Sequence, residues 1–166
     1  MYPVYKILST SAEHIPLIRE LTFRIWPHTY SAIISPQQID YMLEMMYSES
    51  SLQNQMKDGA EFMLVYENDE AVGFASTQEI EPGIFKLHKL YILPTQQGKG
   101  TGRFVLDHII EDIRKKGGTS LQLQVNRNNK AKGFYSKLGF SIIKEADFHI
   151  GADYFMNDYV MEKKSE

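Results

Sequence analysis

Between Leu87 and Ile110 the chain reads LHKLYILPTQQGKGTGRFVLDHII. An apolar strand breaks at Pro94, glycines follow at positions 98, 100 and 102, and an amphipathic helix begins. No other stretch constrains the fold as much, because poor helix formers sit where a helix has to start. Each glycine costs about 1 kcal/mol against alanine in a helix interior, so the pattern implies a helix mouth that needs bare backbone. Such a mouth presents unpaired N–H groups and the positive end of the macrodipole, a ready anion site. Missing side chains at alternate residues let a phosphate approach those N–H groups directly. A P-loop does not fit, since its first glycine would fall on Leu93 and Lys99 is followed by Gly100. A dinucleotide fingerprint fails too, because its third glycine would be Arg103 and the preceding strand does not open a βαβ unit. A flexible surface loop remains the plain alternative.

The flanking sequence gives the element order. Tyr2 to Ser9 reads as a strand, and Thr10 to Glu13 (TSAE) has the form of a capping box. Ile15, Ile18, Leu21 and Ile25 mark a helical face expected to stop before Pro27. Ser35 as N-cap and Pro36 at the first position start a second helix, with a stripe of Ile39, Met42, Leu43, Met46 and Tyr47. A short helix ends at Asp58-Gly59. EFMLVYE, AVGFASTQEI and IFKLHKLYIL form an antiparallel meander turning at NDE and EPG. The glycine segment and a helix to about Lys116 follow, closed by Gly117-Gly118. TSLQLQV places Leu121, Leu123 and Val125 on one face of a strand, and NKAKGFYSKL is a short helix stopped by Gly139. FSIIKEA and DYVMEKK are the last strands. This is an α+β, or mixed α/β, arrangement rather than a regular βαβαβ wind.

Composition narrows the function classes. At 166 residues, 43% hydrophobic and 23% charged, residues 1–166 read as one globular domain. No apolar run approaches the roughly 18 residues a membrane helix needs, and the start lacks the pattern of a secretory signal. Without cysteine there is no disulfide, thiolate ligand or thiol nucleophile. A formal charge of −3, with the one basic cluster Arg114-Lys115-Lys116 ending a helix, argues against nucleic acid. A cytoplasmic enzyme or binding protein fits best.

A second segment supports the phosphate reading. Gln97-Gly98-Lys99-Gly100-Thr101-Gly102 after KLYILP resembles the Q/R-x-x-G-x-G signature of the GNAT superfamily of acyl-CoA-dependent N-acyltransferases. LQVNRNNKAKGFYSKLGF, from Leu123 to Phe140, resembles the second conserved block of that superfamily. The element order matches along nearly the whole chain, and IWPHTYSAIISPQQIDYMLEMMYS looks more particularly like the PaiA-like branch, some of whose members acetylate polyamines. The resemblance implies a mostly antiparallel, splayed sheet of about seven strands flanked by helices. Acetyl-CoA would be the co-substrate, with its pyrophosphate on Gln97, Gly98, Lys99, Gly100, Thr101 and Gly102. The main chain of Tyr91, Ile92 and Leu93 would pair with the pantetheine arm like an added strand. The N–H of Ile92 or Leu93 would stabilise the oxyanion. Asn126 and Asn129 would contact the cofactor, although Asn129 reads equally well as a plain helix cap. Tyr135 would protonate the departing thiolate, although a tyrosine beside Phe134 is more often packing.

An amine acceptor must lose a proton. An alkylammonium with pKa near 10.4 is neutral only about once in 10³ at pH 7, a penalty of roughly 4–5 kcal/mol. Many relatives supply a glutamate on the central strand, but this chain has Lys86, His88 and Lys89 there. The candidates for base are His88 and, acting through water, Glu79, each with an ordinary structural reading beside it. A polyamine acceptor calls for carboxylates, for which Glu44, Glu49 and Glu79 are available, and Tyr30, Tyr41 and Tyr47 offer cation–π contacts. The expected reaction is direct acetyl transfer to a primary amine, first a polyamine or other small amine, without a metal. A peptide or protein amine and a non-catalytic acyl-CoA sensor stand as alternatives. A homodimer is left open, because relatives often dimerise and no stripe marks an interface.

Overall fold

The computed structural model describes residues 4–165. Its strands are β1 (Tyr5–Ser9), β2 (Glu61–Glu67), β3 (Glu70–Glu81), β4 (Ile84–Ile92), β5 (Ser120–Asn126), β6 (Ser141–Gly151) and β7 (Tyr154–Lys164). Its helices are α1 (Ile15–Tyr30), α2 (Pro36–Tyr47), α3 (Glu49–Lys57), α4 (Thr101–Lys115) and α5 (Ala131–Lys137). The strands form one seven-stranded sheet in the order β1-β2-β3-β4-β5-β7-β6. Every neighbouring pair is antiparallel except β4 and β5. This is the mixed, mostly antiparallel fold expected from the sequence.

Local signals hold where they are purely local. Ser35 Oγ accepts the Gln38 N–H at 3.1 Å and starts α2. Asn68 and Asp69 turn between β2 and β3 with φ of 49° and 74°, the left-handed pair that suits a tight hairpin. The capping box sits one residue later than expected: Ser11 is the cap, and its N–H donates to His14 Nδ1 at 3.4 Å. Within the first predicted strand, Tyr2 and Pro3 lie outside the described residues, and β1 starts at Tyr5.

Two expectations give way to tertiary packing. Helix α1 continues through Pro27 to Tyr30. The proline removes only the donor to the carbonyl of Phe23, an exposed residue, and the last turn is held by the Trp26 and Tyr30 rings at 4.5 Å. At the other end, β6 and β7 reach beyond FSIIKEA and DYVMEKK to form a long hairpin. Ala152 and Asp153 close it with φ of 51° and 63°. The side chains of β6 are largely exposed, so no apolar alternation announces that strand, which is held by its ladder to β7.

The core positions the site. Trp26, Tyr47, Phe74 and Tyr91 form an aromatic cluster joining α1, α2, β3 and β4, with centroid distances of 5.4 Å for Trp26–Tyr47 and 5.8 Å for Phe74–Tyr91. Val105, Leu106, Ile109 and Ile113 give α4 its buried face. A Cβ on Gly118 would stand 2.2 Å from Ile113 and 3.1 Å from Phe85, so only glycine lets α4 close down on the start of β4.

Candidate active site

The parallel strands β4 and β5 pair only from Ile84–Ser120 to Leu87–Leu123. Past that point β5 stays with β7 and β4 stays with β3. The separation has a local cause. Leu87 opposes Thr77 and Lys89 opposes Ser76, so His88 is an extra residue, a β-bulge, placed where the β4–β5 ladder ends. A bulge bends its strand and shifts the side-chain alternation by one. Phe85 packs toward α4, whereas Lys89 lies 5.0 Å from the Tyr47 ring and Tyr91 lies 5.8 Å from that of Trp26, on the α1–α2 side.

The freed edge of β4 carries unpaired backbone. Leu93 N–H donates to Val72 O at 2.8 Å. Antiparallel ladders alternate, so Tyr91 also bonds to β3, while the N–H and C=O of Leu90 and Ile92 face the gap. Of the two residues expected to offer an oxyanion donor, Leu93 is therefore excluded: its N–H is already bonded and its side chain is buried. Ile92 retains a free N–H. Buried backbone groups need a partner, and here only water or a ligand can supply one.

Two cavities flank this gap. The larger, about 800 Å³, is lined by Ile92, Gln97, Gly98, Gly100, Asn129 and Tyr135, among others. Gly98 and Gly100 have φ of 81° and 79°, and a Cβ on either would meet no protein atom within 4 Å. Side chains there would project into open cleft, in a backbone conformation that disfavours them. Among the described residues, the N–H groups of Gly98, Gly100, Thr101 and Gly102 bond to no backbone carbonyl outside α4, and they precede its first hydrogen-bonded turn. The cradle fits a diphosphate. Thr101 contributes its N–H alone, since its buried hydroxyl lies 3.1 Å from both Tyr5 Oη and Gln96 Oε1. Lys99, exposed on the loop, does not line the cleft. His28 and Thr29 at the end of α1 complete the wall. They went unrecognised because the sequence ended that helix at Pro27.

Tyr135 reaches the cleft from α5, its ring 5.6 Å from that of Phe140. Burial, reinforced by nearby Tyr30, pushes its pKa above the usual phenol range, so it stays a neutral proton donor. Asn129 Oδ1 accepts the Ala131 N–H at 2.9 Å, the local capping role, while the residue also lines the cleft.

The smaller cavity, about 380 Å³, lies on the other side of Tyr91, which lines both. Its walls include Trp26, Tyr30, Tyr47, Lys86, His88, Lys89, Asn126 and Asp158. Asn126 thus stands on this side rather than in the cofactor cleft, with Oδ1 accepting the Asn128 N–H at 2.9 Å. Tyr30, on the wall of the smaller cavity, meets Tyr91 hydroxyl to hydroxyl at 2.9 Å. His88 Nε2 lies 2.9 Å from Gln78 Oε1, and Gln78 Nε2 donates to Asp58 O. That orientation makes the imidazole the donor and leaves Nδ1 with its lone pair. Burial, and then Lys86 and Lys89, lower the His88 pKa to about 4. Glu79 is elsewhere: it is exposed, accepts the Gly83 N–H at 3.3 Å and lines neither cavity. Glu44 and Glu49 do not line the smaller cavity either, and Tyr41 instead donates to Ile150 O.

Asp158 is the residue the sequence did not single out. It sits on β7 opposite Asn126, is 4% exposed and lines the smaller cavity. Burial raises its pKa to about 6, against the opposing pull of Arg127, Lys86 and Gln124. No motif marks it, because only the β5–β7 register brings it to the gap.

Known proteins resemble this chain in sequence and fold. Residues 31–154 match the family model described as an acetyltransferase (GNAT) domain. An uncharacterized N-acetyltransferase of Mycobacterium tuberculosis is 27% identical over 157 residues, covering 93% of this chain and 98% of that protein. A spermidine N(1)-acetyltransferase of Thermoplasma acidophilum is 26% identical, covering 97% of this chain and 98% of that one. The crystal structure of a PaiA N-acetyltransferase from T. acidophilum, in complex with coenzyme A, superposes with a TM-score of 0.83 at 26% identity, over 98% of this chain and 99% of that one.

Proposed function

The chain belongs to the GNAT acetyltransferase family and is an acetyl-CoA-dependent N-acetyltransferase, and we propose that its acceptor is the primary amine of a small molecule held beside Tyr91. One observation carries this reading: a cleft with a glycine cradle and a smaller cavity share one lining residue, Tyr91, on the splayed part of β4.

Acetyl-CoA supplies the activated acyl group. Its diphosphate is held by the N–H groups of Gly98, Gly100, Thr101 and Gly102 at the mouth of α4, and its arm lies along the free edge of β4. The transfer forms one N–C bond and breaks one C–S bond; starting from the ammonium, the nitrogen loses two protons, one released to solvent through Asp158 and one that balances the proton reaching the departing sulfur. The N–H of Ile92 donates to the carbonyl oxygen as charge builds on it. Tyr135, kept neutral by its burial, protonates the sulfur. Asp158 takes the amine proton. Its pKa of about 6 leaves it mostly ionised at neutral pH and far better suited to this work than His88 at about 4. His88 shapes the bulge and the cavity wall instead.

The cavity of about 380 Å³ suits a small molecule, and the spermidine acetyltransferase relative supports the same class. A polyamine in particular is less well served, since Glu44, Glu49 and Glu79 do not line the cavity. The test is incubation with acetyl-CoA and an amine panel, following thiol release and the mass of the product. Coenzyme A binding with no thiol release on any amine would favour the sensor reading.

A further inference from the structure

The smaller cavity holds charges of both signs in a definite arrangement. Asp158 stands at the gap, on the strand paired to β5, and Lys86 reaches across to Gln124 Oε1 at 2.5 Å. Lys89 lies on the other flank, its ammonium 5.0 Å from the Tyr47 ring and 5.9 Å from that of Phe62. Among the described residues Lys89 makes neither an ion pair nor a hydrogen bond, although it lines the cavity and is partly buried. The imidazole and three of the side-chain amides along this wall are occupied: His88 with Gln78, Gln78 with Asp58 O, Gln38 with Phe155 O and Gln55 with Met46 O.

A buried cation without an anion is costly, and two ring faces offset only part of its lost hydration. The bulge at His88 puts it there, because unbroken alternation would turn Lys89 toward α4. With His88 neutral and the second carboxylate, Asp58, out at the exposed rim, Lys86 and Lys89 flank the one buried carboxylate; they would repel a second ammonium group and complement an acceptor that carries a negative charge.

We propose that the acceptor is an amine that also bears an anionic group, a carboxylate in the simplest case, with the amine at Asp158 and the anion on Lys89. An ω-amino or α-amino acid has this chemistry. The proposal rests on the cavity being the acceptor site and goes further by giving that acceptor a charge pattern.

The experiment compares chain-length-matched series of monoamines, diamines and amino acids as acceptors with saturating acetyl-CoA, read as thiol release. The best amino acid should exceed its matched monoamine and diamine by about tenfold or more in kcat/KM, the value of one charged hydrogen-bonded pair in a desolvated site. Lys89→Met should collapse that ratio to near unity, mainly through KM, and Lys89→Arg should restore most of it. Unfolding curves and coenzyme A affinity identify any variant that merely misfolds, in which case the arginine variant and the wild-type ratios still decide. A diamine preferred over its matched amino acid, or a preference untouched in Lys89→Met, overturns the proposal while leaving acetyl transfer intact. No thiol release with any series would instead overturn the acceptor-site reading beneath it.

Discussion

Replacing Asp158 with asparagine should lower activity and raise stability together. Folding lifts the carboxyl from its ordinary value of 3.8 to about 6, chiefly by burial. At pH 7 a group with that pKa is about nine-tenths ionised, and at pH 5 about one-tenth, so kcat/KM should fall about tenfold per pH unit below 6. Asp158→Asn should remove this limb and reduce kcat/KM by about 10²–10⁴. The stability effect has the opposite sign. A carboxyl whose folded pKa is raised contributes stability that is full below its unfolded pKa and lost as pH rises through its folded value. The shift of about two units corresponds to at most about 3 kcal/mol, and water in the cavity reduces this to about 1–2 kcal/mol. The amide, which never ionises, should escape that cost and raise Tm at pH 7.5 by a few degrees, a gain that shrinks as pH falls through 6. Initial rates from pH 5 to 8.5 and thermal unfolding at two pH values provide the check. An acid limb that survives in the variant, or a lower Tm at pH 7.5, would refute the assignment.

Other changes should separate the remaining roles. Tyr135→Phe should cut kcat by about tenfold to a thousandfold with coenzyme A affinity nearly unchanged by calorimetry; an unaltered kcat removes the phenol from the mechanism. Gly100→Val places a side chain at φ of 79° and fills the cradle, so it should weaken coenzyme A at least tenfold and cost about 1–2 kcal/mol of stability. His88→Gln should leave the acid limb where it is, because a group titrating near 4 lies outside that window. His88's lowered pKa instead adds stability that is present above 6.5 and lost as pH falls toward 4, a slope the glutamine variant should lack. Leu52→Ala, at a fully buried position, should cost about 2–5 kcal/mol in urea unfolding.

What could be read from the sequence was local. Ser35-Pro36, the Asn68-Asp69 turn and the alternation of Leu121, Leu123 and Val125 each carry their signal within a few residues, and the structure bears each out. The glycine segment belongs with them, because a helix mouth without side chains is a backbone property. Long-range pairing was not legible. Pro27 ends helices by propensity, but Trp26 and Tyr30 hold this one together by tertiary contact. Strand β6 is largely exposed and shows no apolar period. The bulge at His88 exists only in the register against β3, and with it went the side on which Lys89 and Tyr91 would lie. Asp158 was invisible for the same reason: only its register against Asn126, at the end of β5, decides that it faces the gap. Glu79 illustrates the converse: its place on the strand beside β4 suggested a base, and the structure bears out the plainer reading, a carboxylate tied to the Gly83 turn.

Cofactor binding by this chain rests on bare backbone at two places, the glycine cradle and the free edge of β4. Titrating the labelled protein with coenzyme A and following backbone amide resonances measures both at once. The amides of Gly98, Gly100, Thr101, Gly102 and Ile92 should shift together at one affinity, with that of Leu93, already bonded to Val72, moving least. Saturable binding that leaves the glycine amides still, with the shifts gathered on another surface, would contradict it.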